Sequence, residues 1–257
     1  MSLISLKGKR GLVIGIANAS SIAYGCARAF KAAGADDLAI TYLNEKAEPY
    51  VRPLASELEA SIFMPCDVRA SGQLRGVFAE IERQWGRLDF VLHSIAFAPK
   101  EDLHARVVDC SRDGFALAMD VSCHSFIRMA RYAEPLMTAG GCLQTVTFFG
   151  SEKVVENYNM MGPVKAALES VTRYMAVELG HKGIRVHALS PGPLATRAAS
   201  GIDRFDELMQ QAAERVPAHR LATIEDIGAQ AAFLASDAAR AITGSVVFID
   251  NGYNIMG

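Results

Sequence analysis

A phenol and an ammonium stand seven residues apart in NYNMMGPVKAALESVTRYMAVELG, residues 157–180: Tyr158 and Lys165. On one α-helix, seven positions advance the chain by about 700°, which returns the two side chains to within about 20° of each other and about 10 Å apart along the axis. A phenol donates a hydrogen bond while staying protonated near neutral pH, and a neighbouring ammonium adds positive potential; the pair suits an oxygen on which negative charge builds. Beside them Val164, Leu168, Val171, Met175 and Leu179 recur at the i, i+4, i+7 spacing of a packed stripe. Taken alone, such a pair is more often a buried Tyr reaching a backbone carbonyl and a Lys snorkelling to water, so the elements around it must decide. Pro163 lies between the two. In a helix starting near Asn157 it removes the bond to the Asn159 carbonyl and kinks the chain.

Seven short apolar runs alternate with longer helical patterns, as in parallel βαβ units. The runs are GLVIGI from Gly11, LAITY from Leu38, SIFMPCDV from Ser61, LDFVLHSI from Leu88, LQTVTFFG from Leu143, IRVHALSPG from Ile184 and SVVFIDNG from Ser245. Most are continuous, as expected of strands covered on both faces. Helices are expected over ASGQLRGVFAEIERQWG, before Cys142, over the opening stretch, and over TIEDIGAQAAFLASD, where Thr223 and Asp226 have capping-box spacing with Asp for the usual Glu or Gln. Between Pro191 and His219 the chain is small-residue-rich and weakly periodic, a candidate lid.

The totals point to a small-molecule partner. The 257 residues are 51% hydrophobic, which suits one α/β domain with a sizeable core. A net charge of −2 without a Lys/Arg run is no nucleic-acid footprint, and no apolar run reaches bilayer length. Five scattered cysteines without a C-x-x-C pair favour reduced thiols in a cytoplasmic protein over disulfides or a metal site.

The first strand runs into GIANASSIAYG, residues 15–25, a small-residue turn into a helix where backbone N–H groups and the helix dipole could face a pyrophosphate. It is not G-x-G-x-x-G, and a plain tight turn explains it about as well. The second strand ends Thr41-Tyr42-Leu43-Asn44 with neither a ribose-binding acid nor a cation for a 2′-phosphate unless Lys46 turns inward, which favours NADH while leaving NADPH open. Asp67, in MPCDV, could accept from an adenine amino group with Val68 beside the ring, and Ser94-Ile95-Ala96 offers a small segment for a ribose. His93 reads as structural.

These segments together resemble the short-chain dehydrogenase/reductase superfamily, in particular its enoyl-acyl-carrier-protein reductases of bacterial fatty-acid synthesis. The resemblance spans nearly the whole chain: the GIANASSIAYG turn, CDV, HSIAFAP, Tyr158-x6-Lys165, SPGPLATRAASGI and the closing TGSVVFIDNGYNI. It implies a single doubly wound Rossmann domain over residues 1–257, a seven-stranded parallel sheet in the order 3-2-1-4-5-6-7, and a substrate-binding lid at 193–219. It implies hydride transfer from NADH to the β-carbon of a trans-2-enoyl thioester on acyl-carrier protein or coenzyme A, by a homotetramer. Tyr158 would hold the thioester oxygen and Lys165 the nicotinamide ribose. Gly15, Ser21 and Ile22 would line the pyrophosphate turn, Asp67 and Val68 the adenine, Ser94, Ile95 and Ala96 the ribose, and Pro193, Leu194 and Thr196 the nicotinamide. Phe97, Phe148, Met160, Met161, Ala198 and Phe205 would line the acyl site.

One position departs from many bacterial members: where they carry a second Tyr ten residues before the active-site one, this chain has Phe148, which cannot donate a hydrogen bond. Two other readings compete. A carbonyl reductase of the same superfamily would use a hydroxyl thirteen residues before Tyr158, where Thr145 stands. A dinucleotide-binding regulator without turnover would also tolerate Phe148 and Pro163.

Overall fold

Each of the seven apolar runs forms a strand: β1 (Arg10–Ile14), β2 (Asp37–Tyr42), β3 (Ile62–Pro65), β4 (Phe90–His93), β5 (Gly141–Val146), β6 (Ile184–Pro191) and β7 (Ser245–Ile249). They make one sheet in the order β3-β2-β1-β4-β5-β6-β7, every neighbouring pair parallel, as expected. The computed structural model describes residues 4–194 and 205–256, the side chains of 205, 206 and 208 excepted. Successive side chains point to opposite faces, so both faces need cover: Leu12 packs in one core and Val13 in the other.

Helices supply that cover. The first core takes apolar residues from α3 (Gln73–Trp85), α6 (Ser125–Ala133) and α7 (Met161–Gly180); the second takes them from α1 (Ile22–Ala32), α2 (Glu48–Glu57) and α9 (Ile224–Ala235). The chain also forms α4 (Lys100–His104), α5 (Arg112–Met119), joined to α6 by one π turn at Asp120–His124, and α8 (Phe205–Arg215). The capping box at α9 is present in both halves: Thr223 N–H donates to Asp226 Oδ2 at 3.0 Å, and Asp226 N–H to Thr223 Oγ1 at 3.3 Å. The shorter acid suffices.

The strand order reverses between β1 and β4, and the crevice beyond the strand C-termini at such a point is where ligands bind in open α/β sheets. Six of the seven strands stop short of their apolar runs; only β2 ends with its run, at Tyr42. Cys66 to Val68, Ser94 and Ile95, and Thr147 to Gly150 are among the residues left beyond the strand ends, and of these Ser94, Ile95, Thr147 and Phe148 line the cavity described below.

The largest difference from expectation is the start of α7. The helix begins at Met161, so Tyr158 lies outside it, in a turn. Asn157 (φ 62°) and Asn159 (φ 44°) flank the tyrosine in the left-handed region, which asparagine tolerates and an α-helix does not continue through. Met161 N–H reaches the Tyr158 carbonyl at 3.0 Å and Gly162 N–H the Asn159 carbonyl at 3.1 Å. Pro163 is therefore the third helical residue, in the first turn, where a missing N–H costs little. The expected kink between Tyr158 and Lys165 is not there.

This placement is testable by urea unfolding. Pro163→Ala is expected to change the unfolding free energy by less than about 1 kcal/mol; a gain near 3 kcal/mol would place the proline in a helix interior.

Candidate active site

Beyond the ends of β4, β5 and β6 lies a cavity of about 310 Å³. Of the residues singled out from sequence, Ile22, Ser94, Ile95, Ala96, Phe97, Phe148, Tyr158, Met161, Lys165, Pro193 and Leu194 line it. Met160 does not: it is fully buried in the packing around Tyr158. Thr196 and Ala198 lie outside the described residues, and of Phe205 only the backbone, at the start of α8, is described.

Tyr158 is fixed by three contacts of its ring and its turn. Its ring meets Phe148 edge-on, centroids 4.9 Å apart at 63°, a favourable aromatic geometry. Gly150 also lies against the ring, where an added Cβ would sit 2.5 Å from Tyr158 Cδ1. The turn is pinned by Asn159, whose Nδ2 donates to the Leu103 carbonyl on α4 at 2.8 Å. Burial, and after it the Glu169 carboxylate, hold the phenol pKa above the ordinary tyrosine range, so Tyr158 stays a neutral donor.

Lys165 is 5% exposed, and its Nζ donates to the Val146 carbonyl at the end of β5 at 2.7 Å. Burial pushes its pKa down to about 8, against the opposing influence of Cys123 and Glu169. An ammonium is thus held, largely buried, in the wall of the cavity that the phenol also lines.

The glycine turn is built by close approach. Gly15 has φ +115°, and a Cβ on it would fall 2.0 Å from the Ser94 carbonyl oxygen; only glycine fits between β1 and the β4 loop. Ser21 Oγ accepts from the N–H groups of Ala17 (3.0 Å) and Asn18 (3.1 Å) and donates to Asn18 Oδ1 (3.2 Å). Its hydroxyl ties the turn together and leaves α1 without a side-chain cap or an acidic residue in its first turn, a helix start open to an anion.

Asp67 and Val68 lie at the end of β3 and do not reach the cavity wall. The Asp67 carboxylate is already held by Arg69, whose Nε and Nη2 approach at 2.7 to 3.2 Å, and that guanidinium draws its pKa below the usual range. Arg69 also lies 5.6 Å over the ring of Phe97. His93 is fully buried between Thr145 Oγ1 and Ser125 Oγ, each at 2.8 Å; burial pushes it down to about 3, so it is neutral. The Thr145 hydroxyl is committed to that bond and does not line the cavity, which leaves the carbonyl-reductase reading without its expected partner.

Sequence reasoning missed Val146, Gly150, Leu103 and Asn159, and also Ser122, whose Oγ accepts from Phe97 N–H (2.9 Å) and donates to Phe97 O (3.1 Å) to fix the loop after β4. The two asparagines around Tyr158 were the available signal for the turn.

Residues 15–254 match the family described as enoyl-(acyl carrier protein) reductase. A relative from Aquifex aeolicus, named enoyl-[acyl-carrier-protein] reductase [NADH] FabI, is 46% identical over 98% of this chain and 93% of its own. A solved enoyl-(acyl-carrier-protein) reductase from Anaplasma phagocytophilum, in complex with NAD, aligns over 98% of this chain and 96% of its own at 44% identity with a TM-score of 0.94. The Bacillus cereus enoyl-acyl carrier protein reductase, solved with NADP+ and indole naphthyridinone, aligns over the whole of both chains at 45% identity with a TM-score of 0.96.

The buried ammonium has a measurable consequence. Folding lowers the Lys165 pKa from 10.5 to about 8, so between those values the unfolded chain binds more protons and stability rises with pH. Buried thiols such as Cys26, pushed up to about 12 from 9.0, act in the opposite sense above pH 9, so the lysine must be isolated by difference. Unfolding free energy of the parent minus that of Lys165→Met is expected to rise from about pH 8 to 10.5; a flat difference would mean a solvated ammonium.

Proposed function

The chain belongs to the enoyl-(acyl carrier protein) reductase family, and from that premise we propose that it reduces trans-2-enoyl thioesters of acyl-carrier protein with NADH. The observation that carries this reading is the convergence of Tyr158 and Lys165, both at least nine-tenths buried, on one cavity at the strand switch point.

A dinucleotide suits the residues present. The Gly15–Ser94 approach makes a cradle that any Cβ would fill, and the uncapped start of α1 faces the same crevice. Gly15, Ser21 and Ile22 would hold the pyrophosphate, Ser94, Ile95 and Ala96 the ribose region, and Pro193, Leu194 and Thr196 the nicotinamide. When bound, NADH supplies the hydride that reduces the β-carbon. The rest is positioning and electrostatics by the protein.

As the β-carbon is reduced, negative charge develops on the thioester oxygen. Tyr158 would donate to that oxygen, and a preorganised donor in a water-poor site stabilises such charge by a factor of about 10² to 10³ in rate. Lys165 would leave or share its Val146 seat to hold the nicotinamide ribose hydroxyls, adding positive potential. Phe97, Phe148 and Met161, with Ala198 and Phe205 from the proposed lid at 193–219, would enclose the acyl chain. Asp67 would meet the adenine together with Arg69, a shared carboxylate in place of a free one. Coenzyme A thioesters would serve as well as carrier-bound ones if the cavity reads only the acyl chain.

For the cofactor, the end of β2 supports NADH: Tyr42 closes the strand, Arg52 of the following helix is engaged by Glu48, and Lys46 is exposed. We place the protein in the cytoplasm as a homotetramer; among the described residues no helix is long and apolar enough to cross a membrane, and β7 is an edge strand only partly buried along its length.

Absorbance of NADH against a trans-2-enoyl thioester tests the reading. Tyr158→Phe is expected to lower turnover more than about tenfold with NADH affinity largely kept. Lys165→Ala is expected to weaken NADH binding instead. Parental turnover by both variants would overturn these roles, and faster oxidation of NADPH than NADH would overturn the cofactor.

A further inference from the structure

The helix that carries Lys165 carries a second buried charge one turn later. Glu169 is 4% exposed and lies four residues on, on the same face of α7. Both are gripped by the end of β5, through consecutive residues. Val146 accepts from Lys165 Nζ at 2.7 Å, and the Thr147 hydroxyl donates to Glu169 Oε1 at 2.6 Å. Nothing in the reaction described above uses this carboxylate. Burying one is costly unless it is paired and hydrogen-bonded.

The other titratable groups around the ammonium are neutral near physiological pH. Cys123, from the π turn, is a thiol raised by burial; His93, on β4, is held at about 3 by burial; Tyr158 is raised by burial. Glu169 is the carboxylate among the neighbours and, with Cys123, opposes the effect of burial on Lys165. Without it, burial would act on the ammonium with less to oppose it, and burial disfavours the charged form.

We propose that Glu169, anchored by Thr147, is a positioning residue that keeps the Lys165 ammonium protonated and aimed at the cofactor crevice. The proposal rests on Lys165 binding the dinucleotide as set out above. Glu169 acts through Lys165 and has no contact with the substrate. The i, i+4 spacing and the strand end together fix the two charges in one geometry, so the ammonium need not be recruited from water when the cofactor arrives.

The test is the pH dependence of NADH affinity, measured by fluorescence on the full chain, with kcat/KM for an enoyl thioester as a second readout. In Glu169→Gln, which keeps the size and the acceptor for Thr147, the alkaline midpoint at which NADH binding weakens is expected to fall by about one pH unit. Glu169→Asp is expected to recover at least part of that shift. Thr147→Val, which frees the carboxylate from the strand end, is expected to move the midpoint the same way by less. It is the variant to read if Glu169→Gln does not fold. A parental midpoint in the folded variants would overturn the proposal. So would a loss of affinity by the same factor at every pH, since a merely structural lesion has no pH signature. If the parent binds NADH with this profile but never oxidises it, the enzymatic reading fails while the role of Glu169 stands.

Discussion

The structure turns on keeping an ammonium dry. A lysine of ordinary pKa would hold its proton anywhere on the surface, but Lys165 is folded under the end of β5, against the Val146 carbonyl, where burial brings its pKa down to about 8. Removing a charge from water is unfavourable by several kcal/mol unless partners replace the solvent. The partners here are a backbone carbonyl and the nearby carboxylate of Glu169, which acts at a distance. That arrangement fixes much else. The strand must end at Val146 so that its carbonyl is free, α7 must run directly below, and the cavity must open at the same height.

The phenol obeys a different constraint. It must stand at the mouth of that compartment without belonging to the helix, and two left-handed asparagines achieve this by delaying the start of α7 to Met161. Gly150 and Phe148 then pack against the ring. On the opposite rim, the contact between Gly15 and the Ser94 carbonyl draws β1 and the loop after β4 so close that no side chain fits. Close packing on both rims leaves the crevice open between them.

Much of this was legible in the sequence because it follows from patterns of hydrophobic period and motif spacing. Continuous apolar runs gave away strands buried on both faces, and the Thr223–Asp226 spacing gave away a helix start even with the shorter acid. Eleven of the expected site residues meet at one cavity wall. What was not legible depends on partners remote in the chain. A strand ends where its neighbour stops pairing, so apolar runs overshoot. Asp67 looked free until Arg69, two residues away, turned back onto it. Thr145 looked available until His93, fifty-two positions away, took its hydroxyl. The helix start failed for a local reason: asparagine admits a left-handed backbone that helical spacing does not reveal, and the same fact disposes of the expected proline kink.

The most direct test is a crystal structure of the protein with an oxidised dinucleotide and an enoyl thioester analogue bound together. The account predicts the Lys165 amine within about 3.2 Å of the nicotinamide ribose hydroxyls and the Tyr158 hydroxyl at a similar distance from the thioester oxygen. A ribose bound elsewhere, with the amine still seated only on the Val146 carbonyl or the phenol facing away from the ligand, would contradict it.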